Sequence, residues 1–212
     1  MTRVISELVR RAAGLYTGGA RALLGIAGPP GAGKTTLAEE LVAALAAAPP
    51  PGHDAGWVAY VPMDGFHLAD VELDRLGLRG RKGAPETFDV YGYANLLRRL
   101  RSDRDEMIYA PGFERVLEQP IAGVIGVPRA ARLIVTEGNY LLLSSPPWQR
   151  VRELLDEVWY TDLEQEERLR RLIERHVRFG KTPEAAEAWA SGTDELNAVL
   201  IAASRDRADL IV

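Results

Sequence analysis

Gly28-Pro29-Pro30-Gly31-Ala32-Gly33-Lys34-Thr35 meets the spacing G-x-x-x-x-G-K-[ST] at every fixed position. The glycines let successive backbone N–H groups turn inward and cradle phosphate oxygens. Lys34 reaches the outer phosphates, and the Thr35 hydroxyl is a ligand for Mg²⁺. The flanks agree with this reading. Residues 21–27, Arg-Ala-Leu-Leu-Gly-Ile-Ala, read as a short buried strand entering the loop. Residues 36–48 read as a helix leaving it, so the positive end of the helix, beginning at Thr36, points at the phosphates. Strand, loop and helix together predict a nucleoside triphosphate site.

The 212 residues suggest one domain, residues 1–212, and 47% hydrophobic content is enough for a sizeable core. A net charge of −4 leaves no electrostatic footprint for nucleic acid. No run of about 18 apolar residues is present, so no membrane span is expected. The first eleven residues lack an uninterrupted apolar core and do not read as a secretion signal. There is no cysteine, which excludes disulfides, thiolate metal sites and Cys nucleophiles, and His53, His67 and His176 are too scattered to form a metal cluster. The expected location is the cytoplasm, and a homodimer is compatible with these features.

Away from the loop, periodicity predicts helices over residues 4–13, 66–76, 91–101, 147–155 and 193–204, and strands over 57–63, 132–136, 157–161 and 208–212. Residues 77–85 read as a flexible basic loop. Short strands at 106–109 and 121–127 flank a turn expected at Pro111-Gly112. Asp162 is expected to cap a charged helix reaching Phe179, with Gly180 stopping it and Thr182-Pro183 opening another. Buried strands alternating with helices imply an α/β fold, a three-layer α/β/α sandwich around a mainly parallel five-stranded sheet. Ligands then bind beyond the carboxyl ends of the strands.

Asp64 and Glu137 stand there, each at a strand end and each followed by glycine. Phosphoryl transfer needs one group to accept the attacking proton and another to hold Mg²⁺, and two neighbouring carboxylates supply both. Arg168, Arg171, Arg175 and Arg178 recur at helical spacing and are expected to share a face, with Lys181 at the helix end. Such a face would close over the β/γ-phosphates as a lid, spanning about residues 162–189. A third group comprises His67, Arg79, Arg81, Lys82, Phe88, Asp89, Tyr91, Phe113, Glu114 and Arg115. Taken singly, these residues have ordinary structural explanations.

In order along the chain, residues 28–35, Met63-Asp-Gly-Phe-His67, Pro85-Glu-Thr-Phe-Asp89, Pro111-Gly-Phe-Glu-Arg115 and Val135-Thr-Glu-Gly-Asn-Tyr140 precede the Arg-rich helix. This set resembles the phosphoribulokinase/uridine kinase/type I pantothenate kinase family of P-loop kinases, and most of all its bacterial nucleoside/nucleotide kinase-like branch. The resemblance spans roughly residues 20–212. It implies an ATP- and Mg²⁺-dependent kinase acting on a hydroxyl of a small molecule. Gly28, Pro29, Pro30, Gly31, Ala32, Gly33, Lys34, Thr35 and Thr36 would bind nucleotide, and Thr35 and Glu137 the metal. Asp64 would activate the acceptor hydroxyl, with Lys34, Arg171 and Arg175 at the transferring phosphoryl group. Residues 64–120 would bind the acceptor through Asp64, His67, Arg81, Phe88, Asp89, Phe113 and Arg115, joined by Glu137 and Tyr140. In uridine kinase the acid matching Asp89 holds ribose hydroxyls. Two departures argue against assigning uridine. Glu114 stands where the family has Asp, and His67 where uridine kinases carry Tyr. A nucleoside-like or sugar acceptor is expected, with a pantothenate-like acceptor as the alternative. A nucleotide-binding regulator is a different class, though the Asn-Lys-x-Asp sequence typical of GTPases does not occur.

Overall fold

In the computed structural model of the chain, residues 3–102 and 104–212 are described. Five strands form a parallel sheet in the order β2 (Val58–Tyr60), β5 (Leu133–Gly138), β1 (Ala22–Ala27), β6 (Glu157–Tyr160), β7 (Leu210–Ile211). β1 and β5 are buried at every position, as expected where helices cover both faces of a sheet. Strand alternation divides their side chains between two cores. Leu24, Ile26, Leu133, Val135 and Trp159 pack against Leu8 and Ala12 of α1 (Arg3–Gly14) and Leu41 and Leu45 of α2 (Lys34–Ala47). Leu23, Ala27, Ile134 and Val158 face the other way. They pack against Leu97 and Leu100 of α4 (Val90–Ser102), Val151 of α5 (Gln149–Arg152) and Ile201 of α8 (Glu195–Ala202). The three-layer sandwich follows from this division. No helix among the described residues is long and apolar enough to cross a membrane.

The phosphate loop leaves β1 in a conformation only glycine tolerates well. Gly28 has φ 148°, and a Cβ there would stand 2.3 Å from the Thr161 Oγ1 and 2.8 Å from its carbonyl oxygen. The chain beyond β6 thus closes directly on the loop's first residue.

Several boundaries differ from the sequence reading. Pro111-Gly112 is no turn. It lies inside β3 (Met107–Glu114), which pairs antiparallel with β4 (Gln119–Pro128) as a separate two-stranded sheet. The register shifts between Ala110 and Gly112, so Pro111, which has no N–H to give, sits where the ladder is interrupted. The reversal falls instead at residues 115–118, with Glu118 at φ 54°. Residues 63–66 form a 3₁₀ turn, and only Asp70–Leu76, α3, is α-helical after it. Residues 77–85 contain two short 3₁₀ turns, Arg79–Arg81 and the start of Pro85–Thr87. Asp162 does not cap the charged helix. That helix, α6, spans Gln165–Arg178, and Asp162 accepts a hydrogen bond from Arg205 Nε. Thr182 does cap α7 (Pro183–Trp189), its hydroxyl oxygen accepting from the Ala185 N–H. A π-helical segment, Ala190–Asp194, joins α7 to α8.

Arg21, one residue before β1 and 1% exposed, ties the two sheets together. Its guanidinium donates to the carbonyls of Ala131, Pro128 and Leu100, the last in the final turn of α4, where a cation also suits the helix dipole. Arg21→Met keeps the length of the side chain and orphans these carbonyls. It should lower unfolding free energy by about 2–4 kcal/mol in urea titrations. A loss below about 0.5 kcal/mol would show that the network is dispensable.

Candidate active site

The phosphate loop, the turn after β2 and the end of β5 open onto one cavity of about 360 Å³. From the loop and α2 come Pro30, Lys34 and Thr35, and from the strand ends Asp64, Glu137 and Asn139. β2 pairs directly with β5, so the two acids predicted from strand ends emerge beside each other. Thr36 is exposed on the first turn of α2, outside the cavity lining.

Glu137 is 3% exposed. Its Oε1 accepts from the Tyr60 hydroxyl at 3.1 Å and lies 3.4 Å from the Thr35 hydroxyl. Burial, and then the charge of Asp64, push its pKa up to about 7. Asp64 behaves in the opposite way. Burial would raise its pKa, but His67, Arg115, Lys34 and Arg175 together hold it below the usual carboxylate value. Arg115 Nη2 donates to Asp64 Oδ2 at 2.8 Å. The turn holding Asp64 lies flush against β3: a Cβ on Gly65 would stand 2.3 Å from the Pro111 carbonyl oxygen. His67 Nδ1 lies 2.8 Å from the Asp64 carbonyl, so Nδ1 carries the proton there. Burial keeps His67 below its ordinary pKa.

Lys34 is 7% exposed and donates to the Pro29 carbonyl at 3.0 Å, folded back on its own loop. Burial depresses its pKa to about 8. Oxygen donors at Thr35 and Glu137 suit a hard cation such as Mg²⁺. Among the described residues no group of three or more His, Asp or Glu side chains is placed to hold a metal. The rest of a coordination shell would therefore come from phosphate and water.

Other predicted site residues are divided. His67 and Arg115 line the cavity, and Phe113 stacks on both, with ring centroids 4.8 Å from His67 and 5.2 Å from the Arg115 guanidinium carbon. Phe88 packs behind His67 at 4.0 Å and against Trp148. Tyr140 is buried and donates its hydroxyl to the Gly83 carbonyl. Phe88, Phe113 and Tyr140 stand behind the cavity lining, and Arg81 and Asp89 lie away from it. Arg81 is exposed and pairs with Glu86. Asp89 caps α4, accepting from the Gly92 N–H at 2.8 Å, and borders a second depression beside Trp148.

The expected four-arginine face is also broken up. Seven residues of helix return to within about 20° of the starting direction, so Arg168 and Arg175 align while Arg171 and Arg178 are offset. Arg168 is buried, donating to the Pro30 carbonyl at 3.3 Å and to Glu195. Arg171 is exposed and pairs with Glu167. Arg175 lines the cavity. Burial, and then the Arg115 charge, depress its pKa. Sequence reasoning missed Tyr60, Asp70, Trp189 and Asp194. The last accepts from His176 Nε2 at 2.8 Å. Tyr60 had one usable signal, a polar-tipped side chain near the end of a strand that also delivers an acid.

The sheet order, the loop and the paired strand-end acids define a P-loop kinase. The chain is 34% identical over 212 residues to "Putative uridine kinase C227.14" of Schizosaccharomyces pombe, a match covering 97% of this chain and 88% of that protein. It is 35% identical over 145 residues to the "ATP-dependent kinase-like protein notR'" of Aspergillus versicolor, covering 64% of this chain and 84% of that one. A solved structure from Silicibacter sp. TM1040, described as a "putative fructose transport system kinase", superposes with TM-score 0.87 at 36% identity, covering 100% of this chain and 99% of the other. No protein-family model matches the chain. By these likenesses the chain belongs to the uridine kinase-like family of P-loop kinases.

Between the ordinary Glu value of 4.5 and its folded value of about 7, Glu137 holds a proton in the folded protein that the unfolded chain has lost. Its favourable contribution is therefore lost as pH rises through 7. In metal-free protein, Glu137→Gln should flatten this decline and raise stability at pH 8 by about 1–3 kcal/mol. Denaturant midpoints between pH 5 and 8 measure it. Parallel profiles for parent and variant would contradict the assigned environment.

Proposed function

We propose that the protein transfers the γ-phosphoryl group of ATP to a hydroxyl of a small metabolite, with a nucleoside-like or sugar acceptor. The observation that carries this reading is the pairing of Asp64 with Lys34 in one cavity: an ionised carboxylate beside a phosphate-loop lysine. In the reaction, Asp64 takes the proton of the acceptor hydroxyl. The freed oxygen bonds to the γ-phosphorus, and the bond from phosphorus to the β–γ bridging oxygen breaks, its electron pair leaving with ADP. Lys34 and Arg175 meet the charge on the transferring group, and the backbone N–H groups of the loop hold the remaining phosphates. Thr35 and Glu137 would hold Mg²⁺, which when bound neutralises phosphate charge. Tyr60 keeps the Glu137 carboxyl oriented toward Thr35.

Charge lowers the reactivity of Asp64 as a base but keeps it ionised at neutral pH, so its value lies in position. Lys34 releases the Pro29 carbonyl when phosphate arrives. Segment 162–189 acts as the lid, with Arg168 anchoring it to the loop and Arg175 carrying the charge.

Asp64→Asn should lower turnover by about 10²–10⁴-fold while ATP affinity changes little, measured by coupled ADP release and nucleotide titration. Lost ATP affinity with normal turnover would move the base elsewhere. The lid arginines separate by the same assay. Arg175→Ala should cost about 10²–10³-fold in turnover, and Arg171→Ala, at an exposed ion pair, should stay near the parent. The reverse order would refute the division of roles.

A further inference from the structure

The acceptor end of the cavity holds more cation than its own acids need. Lys82 is the informative residue. Only 14% of its side chain is exposed, an unusual state for lysine. Its ammonium donates to Asp70 Oδ1 at 2.7 Å and to the Glu118 carbonyl oxygen. An ammonium has three donors, and the third has no partner among the described residues. Lys82 lines the cavity, 5.5 Å from the centroid of the Phe113 ring. Arg115 approaches that same ring at 5.2 Å. It spends one N–H on Asp64, and no hydrogen bond occupies its others among the described residues.

Asp70 answers two cations at once, pairing with Arg79 Nη2 at 2.8 Å as well as with Lys82. The Lys181 ammonium also lines the cavity, and among the described residues its partner is the face of the Trp189 ring, at 5.0 Å. Glu118 and Glu137 line the cavity as well, and among the described residues neither carboxylate has an ion pair. Glu137 sits at the Thr35 side of the cavity, so at this end Glu118 alone stands against the open donors of Lys82, Arg115 and Lys181. Asp89, whose counterpart would hold a neutral ribose diol, faces away from this cavity.

We propose that the acceptor carries an anionic group, a phosphate monoester or a carboxylate, seated between Lys82 and Arg115 beside Phe113. This rests on the kinase reading above and narrows its acceptor to a charged sugar- or polyol-like molecule, setting aside the uncharged nucleoside. Arg115 already touches Asp64, so an anion on its remaining donors brings the neighbouring acceptor hydroxyl to the base. The enzyme's substrate would then come from a reaction that phosphorylates or oxidises a polyol.

Glycerol 3-phosphate, glycerate and glycerol serve as probes. Each is titrated calorimetrically into full-length protein saturated with Mg²⁺ and a non-hydrolysable ATP analogue, so that the phosphate loop is already filled. One or both anions should bind and glycerol should not. Whichever anion binds tells phosphate from carboxylate. Lys82→Gln, which keeps hydrogen-bonding capacity and removes charge, should weaken that binding about tenfold or more. An unchanged melting temperature for Lys82→Gln separates lost binding from lost fold. Arg115→Lys serves as a second variant should Lys82→Gln not fold, and should also weaken anion binding. Anions binding no better than glycerol, or binding equally well to the variants, would overturn the proposal. Anion binding without any ATP-dependent transfer to panels of phosphorylated and acidic polyols would leave the anion site standing and overturn the kinase reading.

Discussion

Asp64 and Glu137 share one cavity, and the charge on either makes the other harder to ionise. The surroundings resolve this conflict asymmetrically. Arg115, His67, Lys34 and Arg175 favour the charge on Asp64. Glu137 is left deeply buried, its carboxylate hydrogen-bonded to a tyrosine and a threonine hydroxyl. The result is one carboxylate ionised at neutral pH and one that still holds a proton up to about pH 7. The sheet exists in a form that makes this possible: β2 lies next to β5, and β5 next to β1, so both acids and the phosphate loop leave adjacent strand ends. A different strand order would separate them and leave two unremarkable surface acids.

The central features were legible because they are local. The glycine spacing of residues 28–35, the apolar run before it and the helix after it each have a short-range cause, and the strand-end acids follow from the same alternation. What escaped the sequence depends on packing. Pro111-Gly112 has turn composition, yet pairing with β4 absorbs it into a strand. Asp162 has cap chemistry, but Arg205, distant in sequence, claims its carboxylate. The arginine spacing of α6 was visible, whereas which arginine would be buried, paired or left facing the cavity was set by Pro30, Glu195 and Glu167. Arg81 and Asp89 sit in motifs that point to an acceptor, and local partners, Glu86 and the α4 N-terminus, hold them outside the cavity.

Arg168 ties the helical segment after β6 to the phosphate loop. Its buried guanidinium spans the Pro30 carbonyl and Glu195 at the start of α8. A Cβ on Gly31 would stand 2.7 Å from the Arg168 carbonyl oxygen, so loop and helix are in contact along their backbones. On the kinase reading, an adjustment of the loop around phosphates would be passed to α6, and with it to Arg175.

The β3–β4 hairpin shares no ladder with the five-stranded sheet, although it provides Phe113, Arg115 and Glu118. On the kinase reading, chemistry and selectivity then sit on separately built parts joined through Arg115 and Asp64. On that reading, substitutions at the exposed tip of the hairpin would reshape what is accepted while the sheet retains its strands, its loop and its two acids. The freedom is confined to that tip, because Ile108, Ala110 and Val127 at the base of the hairpin are packed in the same core as the sheet and α4.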